Sequence, residues 1–148
     1  MSLKPLIVLA ALASLAAAPA AAQEKPNEAR DTMRSLGFNP PTGKKLEKLI
    51  AKAEKHPLGA KANPVRENMP EGEIAYLRRL RCADGTAPTF KRNGNVGLGV
   101  YGSIIDLYLV TCAGKAPVEV HMDMYHDGPE TRTVPGFTLA PAAPAPSA

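Results

Sequence analysis

Ser103-Ile104-Ile105-Asp106-Leu107-Tyr108-Leu109-Val110-Thr111-Cys112 is the stretch on which the reading of this chain turns. It is rich in Ile, Leu, Tyr and Val and contains neither glycine nor proline, which specifies a β-strand. Alternation puts Ile105, Leu107 and Leu109 on one face and Ile104, Tyr108, Val110 and Cys112 on the other. Both sets are apolar, so both faces of this strand are expected to be covered. Downstream, past a turn at Gly114 to Pro117, Val118 to His126 alternates in period two. Val118, Val120, Met122 and Met124 are expected inward, with Glu119, His121, Asp123 and Tyr125 on a solvent face. Asp127-Gly128 then turns, and Arg132 to Leu139 adds a candidate edge strand limited by Pro135. Upstream, Thr86 to Arg92 is a weaker strand, and Asn93-Gly94 is a strong hairpin signal followed by a glycine-rich return. A small antiparallel sheet is the expectation.

Further upstream the period changes to that of helices. Glu71 to Arg81 fits two templates: Ile74, Leu77 and Leu80 suit a helix started by Pro70-Glu71, whereas Ile74, Tyr76, Leu80 and Cys82 suit a strand. A short helical turn leading into a strand that ends at Cys82 is preferred. Pro57 to Pro70 is punctuated by Gly59 and Pro64 and reads as a connector. Gly43 to His56 is the clearest helix, with Leu46, Leu49, Ile50 and Ala53 on one narrow stripe and Lys44, Lys48, Lys52 and Lys55 opposite it. Asn27 to Leu36 forms a shorter helix, capped by Asn27 and ended by Gly37.

The two ends carry other signals. Lys4, an apolar run of 13 residues from Leu6 to Ala18, and Ala20-Ala21-Ala22 read as a secretory signal cleaved after residue 22. The run is short of the roughly 20 apolar residues a spanning helix needs, and no later segment approaches that length, so no transmembrane segment is expected in the mature chain. The compartment is then the periplasm or the cell exterior. Residues 140–148 contain only Ala, Pro and Ser and read as a disordered tail. The organisation expected is a signal peptide over 1–22, a helical segment over 23–56, a disulfide-bridged, mainly antiparallel domain over 57–139, and the tail. The fold class is α+β.

Cys82 and Cys112 are the only cysteines, and in an exported chain they are expected to pair. Residues 23–92 hold 15 basic and 9 acidic side chains, against 2 and 5 in residues 93–148. Such asymmetry favours an anionic surface as partner. Without tryptophan, and with few aromatics beside the basic residues, nucleic-acid binding is not expected. The lysine-backed helix reads chiefly as a solvated face, with an electrostatic contact to anionic envelope material as its functional alternative.

Three constellations bear on chemistry. Gly97-Leu98-Gly99-Val100-Tyr101-Gly102 matches the dinucleotide-binding pattern, but it leads into a strand rather than a helix and is expected to be a sheet bend. His121, Asp123, His126 and Asp127, with Met122 and Met124 between them, form the densest polar cluster, and imidazole with carboxylate suits zinc or copper. Period two separates the members: His121 and Asp123 share a face about 7 Å apart, while His126 points away. Asp106, inside the strongest strand, is expected to be buried and paired with an arginine, for which Arg78, Arg79 and Arg81 are candidates. An enzyme built on Asp106 or Ser103 would need a pocket beside them.

Residues 58–139, through Asn63-Pro64-Val65-Arg66, the run from Arg78 to Gly85, and Asp123-Met124-Tyr125-His126, resemble a group of small uncharacterised exported bacterial proteins. The resemblance implies one domain holding both cysteines and carries no activity, cofactor or partner. The expected function is a non-catalytic envelope module, binding or structural, whose partner is an envelope protein or anionic surface. A periplasmic metal-binding protein using His121, Asp123, His126 and Asp127 is the alternative.

Overall fold

The computed structural model describes residues 27–142. The expected signal peptide lies outside them, as do residues 143–148 of the expected tail. The described chain is α+β, with nine elements in the order α1 (Glu28–Ser35), α2 (Gly43–Ala53), β1 (Val65–Arg66), α3 (Met69–Arg79), β2 (Leu80–Arg81), β3 (Thr89–Leu98), β4 (Ile104–Thr111), β5 (Val118–Asp123) and β6 (Thr138–Leu139). The main sheet has the order β1-β5-β4-β3, and β2 pairs with β6 separately. It is mixed rather than purely antiparallel, because β1 runs parallel to β5, with Val65 opposite Met122. A two-residue strand supplied by the Pro-rich connector carries no periodicity from which such pairing is readable.

β4 lies between β3 and β5, and both of its faces are covered as its two apolar sets require. On one face Tyr108 and Val110 join Val120 and Met122 of β5, Val65 of β1, and Tyr76, Leu77 and Leu80 from α3 and β2 in the principal core. On the other, Ile105 and Leu107 are also buried. Val118, expected inward, stands 42 % exposed at the start of β5. Cys82 and Cys112 form a disulfide with Cα atoms 5.9 Å apart, tying β2 to the end of β4.

The β3–β4 hairpin does not turn at Asn93-Gly94. Those residues lie inside β3, where the register slips between Arg92 and Gly94 and again between Asn95 and Leu98. Gly94 takes a φ of 120° there, so the glycine serves a bulge instead of a turn. The turn is made five residues later, where the N–H of Gly99 donates to Ser103 O (2.8 Å) and that of Gly102 to Gly99 O (3.1 Å). A Cβ at Gly99 would collide with the Ile105 side chain, so close packing keeps this position a glycine. The dinucleotide-like motif is therefore the end and tip of a hairpin.

Helix positions follow the apolar spacing. In α1 the Asn27 side chain accepts from the N–H of Arg30, the cap its position predicts, and its amide donates to the carbonyls of Met124 (2.8 Å) and His126 (2.9 Å). α2 ends at Ala53, three residues before His56, because residues 54–56 turn tightly ahead of Pro57. Its C-terminal end is held by Glu54, which receives Arg132 (3.0 Å) and lies 3.8 Å from Arg66. Ala140, placed by the sequence in the disordered tail, instead continues the β2–β6 pairing: its N–H donates to Arg79 O and its carbonyl accepts from Arg79 Nε, at 2.8 and 2.9 Å.

Candidate functional site

The strand alternation that was to place Asp123 in solvent holds, with Glu119 exposed and His121 partly so, but the face is covered at its Asp123 end. Asp123 is fully buried. Its carboxylate accepts the Ser103 hydroxyl and the N–H of Tyr125 (3.1 Å), and its Oδ2 lies 3.4 Å from Nε2 of His126 without a hydrogen bond. His126 reaches it because the chain leaves β5 after Asp123 and bends. The ring of Tyr101 meets that of His126 edge-on at 5.0 Å, and the Tyr101 hydroxyl accepts from Arg66 (3.0 Å). Ser103, Asp123 and His126 are thus brought together with the carboxylate in the middle. A nucleophilic triad needs the imidazole between hydroxyl and carboxylate. Here Ser103 is 1 % exposed and already donates to Asp123, so the group ties the hairpin to the bend after β5.

The remaining members of the expected metal cluster point elsewhere. Nδ1 of His121 sits 3.1 Å from Gly59 O, and Asp127 pairs with Arg30 of α1 at 2.5 Å. Among the described residues no three His, Cys, Asp or Glu side chains are placed to hold a metal ion. The four residues separate because they leave the strand in three directions, two of them set by contacts outside the sheet.

Asp106 is buried and paired with an arginine, but with Arg92 across the hairpin rather than Arg78, Arg79 or Arg81. Arg92 donates Nε and Nη2 to the two carboxylate oxygens at 2.6 and 2.7 Å. Beside it, Glu73 of α3 is fully buried and accepts the Tyr108 hydroxyl at 3.0 Å, while its Oε1 has no partner. Burial, reinforced by the negative charge of Asp106, pushes the Glu73 carboxyl up to about 8. Ordinary sequence signals did not mark Glu73, whose partner Tyr108 is 35 residues away.

A surface feature stands apart from these buried groups. Lys44, Lys45, Lys48, Lys52 and Lys55 are all exposed, and none joins an ion pair among the described residues. Lys44 and Lys45 occupy the first turn of α2, which has no acidic residue, although the positive end of the helix dipole disfavours cations there. At about 100° per residue, Lys45 and Lys52 flank the apolar stripe on the Leu49 side, and Glu47 and Glu54 flank it on the Ile50 side. On the lysine side a cleft of about 220 Å³ runs between Leu49, Lys52, Ala53, His56 and Val100. It adjoins a shallower one of about 430 Å³ at Lys61, Leu98 and Val100. The β3–β4 tip therefore presents Val100, 38 % exposed, beside Lys52 of α2, and Leu98, 56 % exposed, beside Lys61. Lys61 also latches onto this hairpin, donating to Val96 O at 3.0 Å.

No family model, curated protein or solved structure matches the chain. No helix among the described residues is long and apolar enough to cross a membrane.

Proposed function

We propose that this protein is an exported, non-catalytic module that docks peripherally on an anionic surface of the cell envelope. The observation that carries the reading is the run of exposed lysines without ion pairs over residues 44–55, of which Lys52 adjoins Val100 of the hairpin tip, with Lys61 beside the exposed Leu98. Such a surface attracts anionic headgroups through charge and adds a small apolar contact at the boundary. The two lysines in the first turn of α2 work against the helix dipole, so local helix stability does not account for them. Export is argued from the leader and agrees with the presence of a disulfide. Likeness to the small exported proteins named above belongs to the same reading and supplies no activity.

The test is sedimentation of the mature chain with vesicles containing phosphatidylglycerol, compared with vesicles of phosphatidylcholine alone. Each lysine near an anionic surface contributes about 1 kcal/mol, so reversing Lys44, Lys48, Lys52 and Lys55 to glutamate should weaken binding by more than roughly 100-fold at low salt. Replacing Leu98 with Ser should weaken it further. Unchanged sedimentation of the reversed variant, and unchanged envelope fractionation in cells, would remove the basis of the proposal.

A further inference from the structure

The described residues include eight arginines, and five of them are committed to carboxylates: Arg30 to Asp127, Arg34 to Asp31, Arg66 and Arg132 to Glu130, and Arg92 to Asp106. Arg78, Arg79 and Arg81 meet no carboxylate among the described residues. All three line one cleft of about 490 Å³, formed where α3 runs into β2 and walled by Ala75, Tyr76, Pro129 and residues 140–142. Cations in the last turn of a helix have an ordinary role, complementing its negative end. That role uses only part of what is present. Arg79 spends Nε on Ala140 O, and Arg81 spends Nη1 on the carbonyls of Arg78 and Leu80. Each guanidinium has five N–H donors in a planar fork. Both Nη groups of Arg79, Nε and Nη2 of Arg81 and the whole Arg78 head remain without a protein acceptor among the described residues.

The cleft also contains the buried carboxyl of Glu67, whose Oε1 accepts the N–H of Glu130 at 3.0 Å. Burial pushes this acid up to about 7 against the opposing pull of that N–H and of Arg79, so near neutral pH it is about half ionised and the three arginines outweigh it. A concave shape lined by three arginines with spare donors and by apolar residues describes a receptor for an oxyanion carried on a small apolar body. Three guanidinium groups suit a doubly charged phosphoryl group better than a singly charged carboxylate.

We propose that this cleft binds a phosphate monoester, its oxygens held by Arg78, Arg79 and Arg81 and its organic part resting against Ala75, Pro129 and Pro141. The site is independent of the lysine face of α2. Isothermal titration of the full mature chain with phenyl phosphate tests it, with inorganic phosphate and benzoate as parallel arms. Phenyl phosphate should bind more tightly than either. Arg78→Gln, at an exposed position without partners, should leave urea unfolding unchanged and weaken binding about 10-fold, the usual loss for a charge-assisted hydrogen bond. The Lys44, Lys48, Lys52, Lys55 reversal should leave it intact, which separates this site from the vesicle contact. Equal binding by benzoate would refute the phosphate assignment. No heat of binding up to about 10 mM, a span that still registers interactions of only about 3 kcal/mol, or unchanged affinity in Arg78→Gln, would refute the site.

Discussion

Glu73→Gln isolates a buried acid that lacks a partner for one of its oxygens. The Glu73 carboxyl is fully buried, receives one hydrogen bond from Tyr108, and has its affinity for a proton raised from the ordinary 4.5 to about 8, first by burial and then by Asp106. Below pH 4.5 the folded and unfolded chains both hold the proton, and the group adds no pH dependence. Between 4.5 and 8 the unfolded chain releases a proton that the folded chain keeps, so wild-type stability falls as pH rises, by up to about 1.4 kcal/mol per unit. The accumulated loss is about 3 kcal/mol at pH 7 and levels off near 5 kcal/mol above pH 8. Glutamine keeps an acceptor for Tyr108 and cannot ionise. Its amide nitrogen would occupy the place of the unpartnered Oε1, a fixed cost of about 1 to 2 kcal/mol that does not vary with pH. The variant should therefore be slightly less stable than wild type at pH 4.5 and clearly more stable at pH 8. Urea unfolding of both proteins at unit steps from pH 4.5 to 9 measures this directly. Glu67, also raised, shifts the absolute curves but cancels in their difference. A difference that stays constant across that range would show that Glu73 is not the buried acid described.

Two further perturbations follow from pairs already described. Arg92→Gln strands the buried Asp106 carboxylate; because Arg92 is itself half exposed, the loss should be about 2 kcal/mol in urea unfolding, below the usual range for a fully buried pair, and Asp106→Asn in the same chain should restore most of it. Replacing Cys82 and Cys112 together with serine opens a cross-link between residues 30 apart, and should cost about 3.5 kcal/mol if the bridge acts mainly on the unfolded chain. Two titratable thiols in the denatured, unreduced protein would contradict the bridge itself.

What was legible in the sequence was what short-range periodicity encodes. The two apolar faces of β4, the Asn27 cap and the stripe on α2 each follow from residues within a few positions of one another. The partner of Asp106 was not legible, for a specific reason. Had the chain turned at Asn93-Gly94, Arg92 would face Asn95 and lie nowhere near Asp106. The bulges in β3 carry the hairpin five residues further, so that Arg92 pairs with Tyr108 and reaches Asp106 diagonally. A bulge replaces one set of cross-strand neighbours with another, and its local signature, a glycine beside an asparagine, is shared with the turn it displaced. The same limit applies to Asp123 and His126, which meet only because β5 lies beside β4 and the chain bends at its end.

The charge asymmetry changes meaning once the chain is folded. Read along the sequence, 15 basic residues against 9 acidic ones in residues 23–92 suggest a positive half facing a negative half. In space that contrast is largely consumed across the two halves: Arg30 takes Asp127, Arg66 takes Glu130 and Arg92 takes Asp106. Three of the five acids in residues 93–148 are thereby neutralised by cations from the other half. The excess that survives is local. It consists mainly of the lysines over residues 44–55, of which Lys52 adjoins the apolar hairpin tip, and of three arginines lining one cleft at the end of α3. Net charge acts at long range and is screened within about 10 Å at moderate salt, whereas clustered, unpaired cations act on whatever touches them. Both proposed contacts accordingly predict binding that depends on those two clusters and is insensitive to the overall charge of +4.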